Sequence, residues 1–232
     1  MVLLESTMRT SKVYADLFAL LAQHKYGIRK REACDRLGYS SSQFDMAADE
    51  AMKCGYVREY RNLGKPHHPK FIQLVDPFIL FHYHFLDPVQ GDAPLHWSDF
   101  VADQGRYSNW RGAAFEMVCL YHVRQLKTAL GIEGIITKEY PWSSSPGKNG
   151  AQIDLVIERA DRVTNLCEMK FTDGPYELSE ANARKLIEKA ESFREETGTR
   201  HALKTVLVSA SGITGGHDGA IAKKIGIDDL FS

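Results

Sequence analysis

The sequence predicts a mixed α/β (α+β) protein of two blocks, because two different orders of helical and strand patterns follow one another along 232 residues. Residues 10–75 have the pattern of three helices and a hairpin. Residues 105–232 have the order αβββαβ, which predicts a sheet with helices packed against it. The elements predicted there are a helix over 107–130, strands over 135–140, 152–157 and 163–171, a helix over about 177–196, a strand over 202–209 and a short helix near 219–225. Hydrophobic residues make up 44% and charged residues 25% of the chain, so a largely disordered protein is excluded.

The first block places turn residues between its helical and strand-like segments. Gly38 ends one predicted helix, Ser41 or Ser42 begins the next, and Gly55 ends that one. A helix-turn-helix followed by a β-ribbon is the layout of a winged helix, so residues 1–76 are predicted as a winged helix-turn-helix domain. The predicted elements are helices around 13–21, over 28–37 and from 42 to 54, and strands over 56–60 and 70–74.

The charges of this block do not favour DNA recognition by its third helix. That helix carries Asp45, Asp49 and Glu50 against one Lys53, and phosphates would repel it. We therefore favour protein–protein or interdomain packing for the winged helix. A wing that follows phosphates remains the alternative, with contacts from basic residues around the hairpin. Those residues are Arg58, Arg61 and Lys65.

Residues 77–105 are predicted as an aromatic connector and residues 106–232 as the second domain. No apolar run approaches the roughly 20 residues that a membrane helix needs, and the N-terminus lacks the pattern of a signal peptide. None of the four cysteines lies in a C-x-x-C pair, which argues against structural zinc and fits reduced thiols. We expect a cytoplasmic protein with no membrane partner.

The second block carries polar residues inside apolar strand patterns. Asp154 interrupts residues 153–157, and Glu168 and Lys170 interrupt residues 166–171. Side chains alternate along a strand, so Glu168 and Lys170 share a face. A tight turn at 160–162 would place Asp154 opposite Glu168, with Cβ atoms about 5 Å apart. Opposed carboxylates repel, and Mg²⁺ or Mn²⁺ between them would remove the penalty.

Glu116 is the fourth candidate, on the long helix predicted over 107–130. Its neighbours three and four residues away are small or apolar, so we expect it to point toward the sheet. Each residue also has a purely structural explanation. In that interpretation Glu168 and Lys170 form an ion pair at a sheet edge, Asp154 caps a loop, and Glu116 is solvated at the boundary of its helix. The feature that favours a catalytic site is the occurrence of all four residues in one order, first Glu116 on a helix, then Asp154 on a strand, then Glu168 and Lys170 on the next strand.

Helix Glu116, then Asp154, then Glu168-Met169-Lys170 resembles the PD-(D/E)XK nuclease superfamily, whose core is a restriction-endonuclease-like αβββαβ domain. Ile153 stands where that motif usually has proline. The resemblance implies metal-dependent phosphodiester hydrolysis of DNA or RNA, with Asp154, Glu168 and the Met169 carbonyl as ligands of Mg²⁺ or Mn²⁺. It also implies that Glu116 binds through water or completes a second metal site. The roles implied for basic residues are Lys170 orienting the attacking water and Arg111 and Lys148 contacting phosphates.

A wider resemblance covers roughly residues 10–232. Segments 75–85, 111–116, 152–156 and 167–171 are similar to the C-terminal region of archaeal and bacterial AAA-type ATPases of poorly known function. In that family an ATPase core precedes a winged helix and a nuclease-like domain. The glycine-rich stretch 209–217 lacks the Gly-Lys-Ser/Thr of a phosphate-binding loop, so ATP binding is not carried over. The resemblance implies a fragment or a stand-alone relative, with an ATPase domain or subunit as partner.

Three functions therefore follow from the sequence. The first is a metal-dependent nuclease with a winged-helix module. The second is a catalytically inactive nuclease-like binding or regulatory module of an ATPase, with the winged helix as adaptor. The third is a DNA-binding regulator, which the acidic third helix disfavours. The sequence leaves open the choice of DNA or RNA and the oligomeric state.

Overall fold

The structure is a computed structural model that describes residues 12–61, 69–87, 96–145 and 150–231. It confirms the mixed α/β class, with a mixed sheet as the largest element of regular structure. The described residues divide into two compact units, which meet in sequence between Ala114 and Phe115. None of the described helices is long and apolar enough to cross a membrane.

The first unit begins with three helices and a three-stranded sheet of order β1-β3-β2, in which both pairings are antiparallel. Ser40 begins α3 with a capping box, because its side chain accepts from the Gln43 amide and the Gln43 side chain accepts from the Ser40 amide. The elements are α1 (Lys12–Ala22), β1 (Ile28–Arg29), α2 (Lys30–Leu37), α3 (Ser41–Lys53), β2 (Val57–Arg61) and β3 (Lys70–Leu74).

The helix predicted over 28–37 begins two residues later than expected. Ile28 and Arg29 form β1 instead, paired with Ile72 and Phe71 of β3. Gly27 precedes them with a φ of 73°, and a Cβ there would lie 2.4 Å from the Ile72 carbonyl oxygen. Glycine is therefore required for the backbone to approach β3 closely enough to pair with it.

The remainder of the first unit is rich in aromatic contacts. Asp76 begins α4 (Pro77–Phe81) by accepting from the Ile79 amide, and a π-helix over His82–Leu86 continues it. The Phe81 ring contacts the rings of Phe85, Trp97, Phe100 and Trp110. Two further helices complete this part of the chain, and the second extends into the other unit. They are α5 (Trp97–Ala102) and α6 (Gln104–Tyr121).

The second unit is built on a five-stranded sheet of order β10-β8-β6-β5-β4. Strands β10, β8 and β6 are parallel, and β6, β5 and β4 are antiparallel. The elements after α6 are α7 (Val123–Ala129), β4 (Thr137–Ser143), β5 (Gln152–Arg159), β6 (Val163–Lys170), β7 (Tyr176–Glu177), α8 (Glu180–Thr197), β8 (Ala202–Ser209), β9 (Ile213–Thr214), a 3₁₀-helix (Asp218–Ala220), β10 (Lys223–Ile225) and α9 (Asp228–Phe231).

The two faces of this sheet bury different helices. On one face, Leu155, Cys167 and Val206 pack with Phe115 and Cys119 of α6. On the other face, Leu207 packs with Leu178 and with Ala183 and Leu186 of α8. Because side chains alternate along β6, the even-numbered residues Glu168 and Lys170 lie on the α8 face.

Two predictions for this unit were wrong in detail. The single helix predicted over 107–130 is interrupted at His122, whose φ and ψ are −102° and 27°. The short helix predicted near 219–225 is a 3₁₀-turn followed by β10, in which Ile225 is buried and opposite Val208. Pairing with β8 stabilises this three-residue strand. Because β8 is not adjacent in sequence, the pairing leaves no periodic pattern in the residues of β10 themselves.

Candidate functional site

The candidate site lies where β5 separates from the regular ladder with β6. The pairing of the two strands runs from Glu158 opposite Thr164 to Leu155 opposite Cys167. Asp154 and Glu168 are the next residues on their strands, so the two carboxylates lie at the same end of the pair. The turn that joins the strands thus gives the register that the sequence predicted.

A β-bulge modifies the predicted arrangement of Asp154. On the other side of β5, Tyr140 is opposite Val156 but Trp142 is opposite Ile153, so β5 has one extra residue beside Pro141. The extra residue interrupts the alternation of side chains. Asp154 therefore lies at a bend in β5, instead of in a regular cross-strand pair with Glu168.

The Asp154 carboxylate is held by the backbone of β6. Its Oδ2 accepts from the Met169 amide at 2.9 Å, and the residue is 8% exposed. Residues in a ladder turn their N–H and C=O toward the same neighbour, so the Met169 carbonyl also faces β5. The bulge thus brings a carboxylate and a backbone carbonyl to one edge.

Glu168 is buried and is engaged by two lysines. Lys170 donates to Oε1 at 2.7 Å, and Lys189 of α8 donates to both Oε1 and Oε2 at 2.7 Å. The Glu168 side chain is 6% exposed, against 33% for Lys170 and 26% for Lys189. The ammonium groups supply the positive charge that a buried carboxylate requires.

Lys170 is cationic in this environment. Burial lowers its pKa, but the charge of Glu168 and the hydrogen bond to it outweigh burial, with a further contribution from Asp154, so the pKa lies above its usual value. Burial also raises the pKa of Tyr176, where Lys170 and Glu168 act with opposite signs. A lysine in this state can orient or stabilise an anion, but it is a poor general base.

Glu116 shares a neighbour with Asp154. Burial raises the pKa of the Cys119 thiol, and the charges of Cys167, Glu116 and Asp154 raise it further. Burial and the charge of Asp154 also raise the pKa of Cys167 to about 12. Glu116 is half-buried and Asp154 is buried. Both are therefore close enough to one thiol on the α6 face for their charges to raise its pKa.

The residues predicted to contact nucleic acid are distributed over the chain. Arg111 belongs to the first unit, with its guanidinium 4.9 Å from the centre of the Tyr107 ring. Arg58 donates to the Gln73 side chain at 2.8 Å and packs on Tyr60, so it is used within its own sheet. Arg61 is exposed at the end of β2. Lys65 and Lys148 lie outside the described residues.

The oxygen ligands predicted for a divalent cation fit Mg²⁺ or Mn²⁺ in chemical type. Asp154, Glu168 and the Met169 carbonyl supply oxygen atoms, which these cations prefer. Within the described ranges, no group of three or more His, Cys, Asp or Glu side chains is arranged to hold a metal ion. A metal at Glu168 would have to compete with two ammonium groups that already neutralise it.

Lys189 was not among the site residues predicted from the sequence, although the sequence of α8 contains a pattern that indicates it. Leu186 and Phe193 of α8 are both buried, and Lys189 lies three residues after one and four before the other. Residues at this spacing share one helix face, so the lysine falls within the buried stripe of an otherwise charged helix. A charge in such a stripe predicts a buried acidic partner, which here is Glu168.

Comparisons with known proteins do not indicate a function for this chain. No family model matches the chain, and no curated protein matches it. Among solved structures, one match is described as a protein of unknown function, AF1548. It has 18% sequence identity, covers 48% of this chain and 64% of that chain, and has a TM-score of 0.34. The match thus spans less than two thirds of the other protein.

Proposed function

We propose that the second unit is a metal-dependent nuclease that hydrolyses phosphodiester bonds of DNA or RNA. The observation that carries this proposal is the end of the β5–β6 pair, where the buried Asp154 accepts from the Met169 amide and the buried Glu168, one residue earlier on β6, accepts from a cationic Lys170. Burying carboxylates at the same end of neighbouring strands destabilises the fold unless cations compensate them. A site that contains buried carboxylates in spite of their cost in stability is a candidate catalytic site.

In this proposal the chain's own residues hold and orient the reactants. Asp154 and Glu168, with the Met169 carbonyl, would hold the divalent cation, and Glu116 would contact it through water or complete a second site. The cation would supply Lewis acidity and would lower the pKa of water at the site. Lys170 orients the attacking water and stabilises negative charge in the transition state, which its raised pKa favours.

The proposed architecture is a winged-helix domain followed by a restriction-endonuclease-like domain. The three helices and the β1-β3-β2 sheet support the first part, and the αβββαβ order around the mixed sheet supports the second. Nucleic acid is the proposed substrate. An ATPase domain or subunit is the proposed partner, on the resemblance to AAA-type ATPases, with the cytoplasm as the proposed location.

A cleavage assay on four substrates tests the proposal. Single- and double-stranded DNA and RNA are incubated with the chain and Mn²⁺ or Mg²⁺, beside Asp154→Asn and the matched control Glu188→Gln on the exposed face of α8. We expect cleavage by the unmodified chain and by the control, and its loss in Asp154→Asn. Equal cleavage by Asp154→Asn would contradict the assigned site.

The second candidate function is an inactive nuclease-like binding module. One observation favours it: both oxygens of Glu168 already accept from Lys189. In that case the ion pair is structural and no divalent cation binds. An absence of cleavage on all four substrates, together with no metal binding by the unmodified chain, would favour this function.

A further inference from the structure

Lys189 occupies the position on Glu168 that a divalent cation would take. Its ammonium lies 2.7 Å from both carboxylate oxygens, whereas Lys170 contacts only Oε1. A cation equidistant from two carboxylate oxygens makes the same bidentate arrangement that divalent metal ions make with Asp and Glu. Lys189 therefore mimics a bound metal at this carboxylate.

The charge of Glu168 is already compensated. Its single carboxylate lies within 2.7 Å of the ammonium groups of both Lys170 and Lys189. A divalent cation added at this carboxylate would meet two positive charges on the same pair of oxygen atoms. Binding is favourable only if an ammonium group moves away.

The space on the α8 side of the pair is small. A cavity lined there by Glu168, Lys189, Leu186 and three residues of the sheet has a volume of about 10 Å³. This is about the space that one water molecule needs. A metal ion with its water ligands does not fit into this cavity beside the ammonium group of Lys189.

Lys189 is the ammonium group whose departure would free both oxygens of Glu168, because Lys170 contacts Oε1 alone. Both lysine side chains are partly exposed, at 33% for Lys170 and 26% for Lys189. Lys189 is on α8, where the buried Leu186 and Phe193 hold the helix. Its four-carbon side chain can turn toward solvent without moving the helix.

We propose that Lys189 is a positioning residue that holds Glu168 in the metal-free protein and is displaced when a divalent cation binds. The inference rests on the proposed nuclease site. Lys189 then competes with the metal ion for Glu168. The affinity for the metal ion therefore depends on α8, which carries Lys189, as well as on the metal ligands.

Calorimetric titration of Mn²⁺ into the full chain tests this competition. Lys189→Met removes the charge and keeps the length of the side chain, and we expect Mn²⁺ to bind about tenfold more tightly, because one charge-assisted contact no longer competes. Lys189→Arg restores the cation and is expected to restore the original affinity. Lys185→Met, on the exposed face one turn earlier, is the matched control and is expected to change nothing.

The possible results separate this inference from the proposed function. Tighter binding in Lys189→Met alone supports the competition, as does binding by that variant when the unmodified chain binds none. Unchanged or weaker binding in Lys189→Met, with binding by the unmodified chain, overturns the inference and leaves the proposed function standing. Binding by Lys189→Arg as tight as binding by Lys189→Met also overturns the inference alone. An absence of binding in all four proteins overturns both.

Discussion

Each unit has a lysine that bridges acidic oxygens, and the two bridges differ in burial. In the first unit, Lys30 of α2 lies 3.0 Å from Asp45 of α3 and 3.8 Å from Glu59 of β2. In the second unit, Lys189 contacts both oxygens of Glu168. The side chains of Asp45 and Glu59 are 54% and 23% exposed, whereas that of Glu168 is 6% exposed.

The difference in exposure separates two uses of the same ion pair. When Lys30 is absent, water compensates Asp45 and Lys70, at 2.8 Å, compensates Glu59, so that bridge adds little stability. Glu168 has almost no access to water, so it depends on whichever cation is present. The first bridge joins α2, α3 and β2, whereas the second compensates a carboxylate that has almost no contact with water.

The largest expected effect is on the buried carboxylate. Glu168→Gln removes the charge that attracts both lysines and, in the proposed site, a metal ligand. We expect Mn²⁺ binding to be lost and the rate of cleavage to fall by about a hundredfold or more. The matched change Glu59→Gln in the first unit is expected to leave both unchanged. Equal losses in the two variants would show that the comparison between the bridges is mistaken.

The second prediction tests whether the units are independent in stability. Leu17 of α1 is completely buried, and Leu17→Ala is expected to lower the free energy of unfolding by about 3 kcal/mol. Calorimetry should show a lower melting temperature, while Mn²⁺ affinity below that temperature stays the same. A change in metal affinity would mean that the core of the first unit supports the site.

The third prediction uses the pH dependence of the buried cluster. The pKa of Lys170 is higher in the folded protein than its usual value of 10.5, so folding favours the protonated form. Its contribution to stability is complete below pH 10.5 and is lost as pH rises through the folded-state pKa. The stability difference between the chain and Lys170→Met should be constant near neutral pH and shrink above about pH 10.5. A difference that grows with pH would reverse the assigned sign.

A fourth prediction compares matching helix caps. The side chain of Ser40 accepts from the Gln43 amide at the start of α3, and that of Ser179 accepts from the Asn182 amide at the start of α8. Ser40→Ala and Ser179→Ala are each expected to lower the free energy of unfolding by about 1 kcal/mol. Chemical denaturation measures both. Only the second is expected to alter Mn²⁺ affinity, because α8 carries Lys189.

The smallest expected effect is at the bridge of the first unit. Lys30→Met leaves Asp45 in contact with water and Glu59 paired with Lys70, and we expect a loss of about 0.5 kcal/mol in denaturant unfolding. High salt should reduce the loss further, because it screens exposed charges. A loss above about 2 kcal/mol would place Lys30 in the same class as Lys189.

Much of this fold could be predicted because local patterns and tertiary structure agree. Strand β8 and the hairpin strand β3 begin and end at the predicted residues, since apolar alternation and flanking turns mark both. Strand β4 was predicted over 135–140 but covers Thr137–Ser143 and passes through Pro141. An edge strand tolerates the N–H group that Pro141 lacks, so the strand continues beyond Tyr140.

The strand positions of the candidate residues could be predicted, but the geometry around them could not. The spacing of Asp154, Glu168 and Lys170 along two strands follows from the period of two and from one turn. The bulge beside Pro141 and the approach of Lys189 depend on elements that are distant in sequence. Counting along the chain does not show such contacts, whereas the misplaced charge in the α8 stripe does indicate one of them.

Pro141 also affects how the protein behaves at high concentration. Strand β4 forms one edge of the five-stranded sheet, and an uncovered edge offers backbone groups to a strand from another molecule. Pro141 provides no N–H group, the bulge beside it twists the edge, and the exposed Lys138 adds charge. All three features oppose the addition of a foreign strand. The bulge that displaces Asp154 thus also disfavours pairing of this edge with a strand from another molecule.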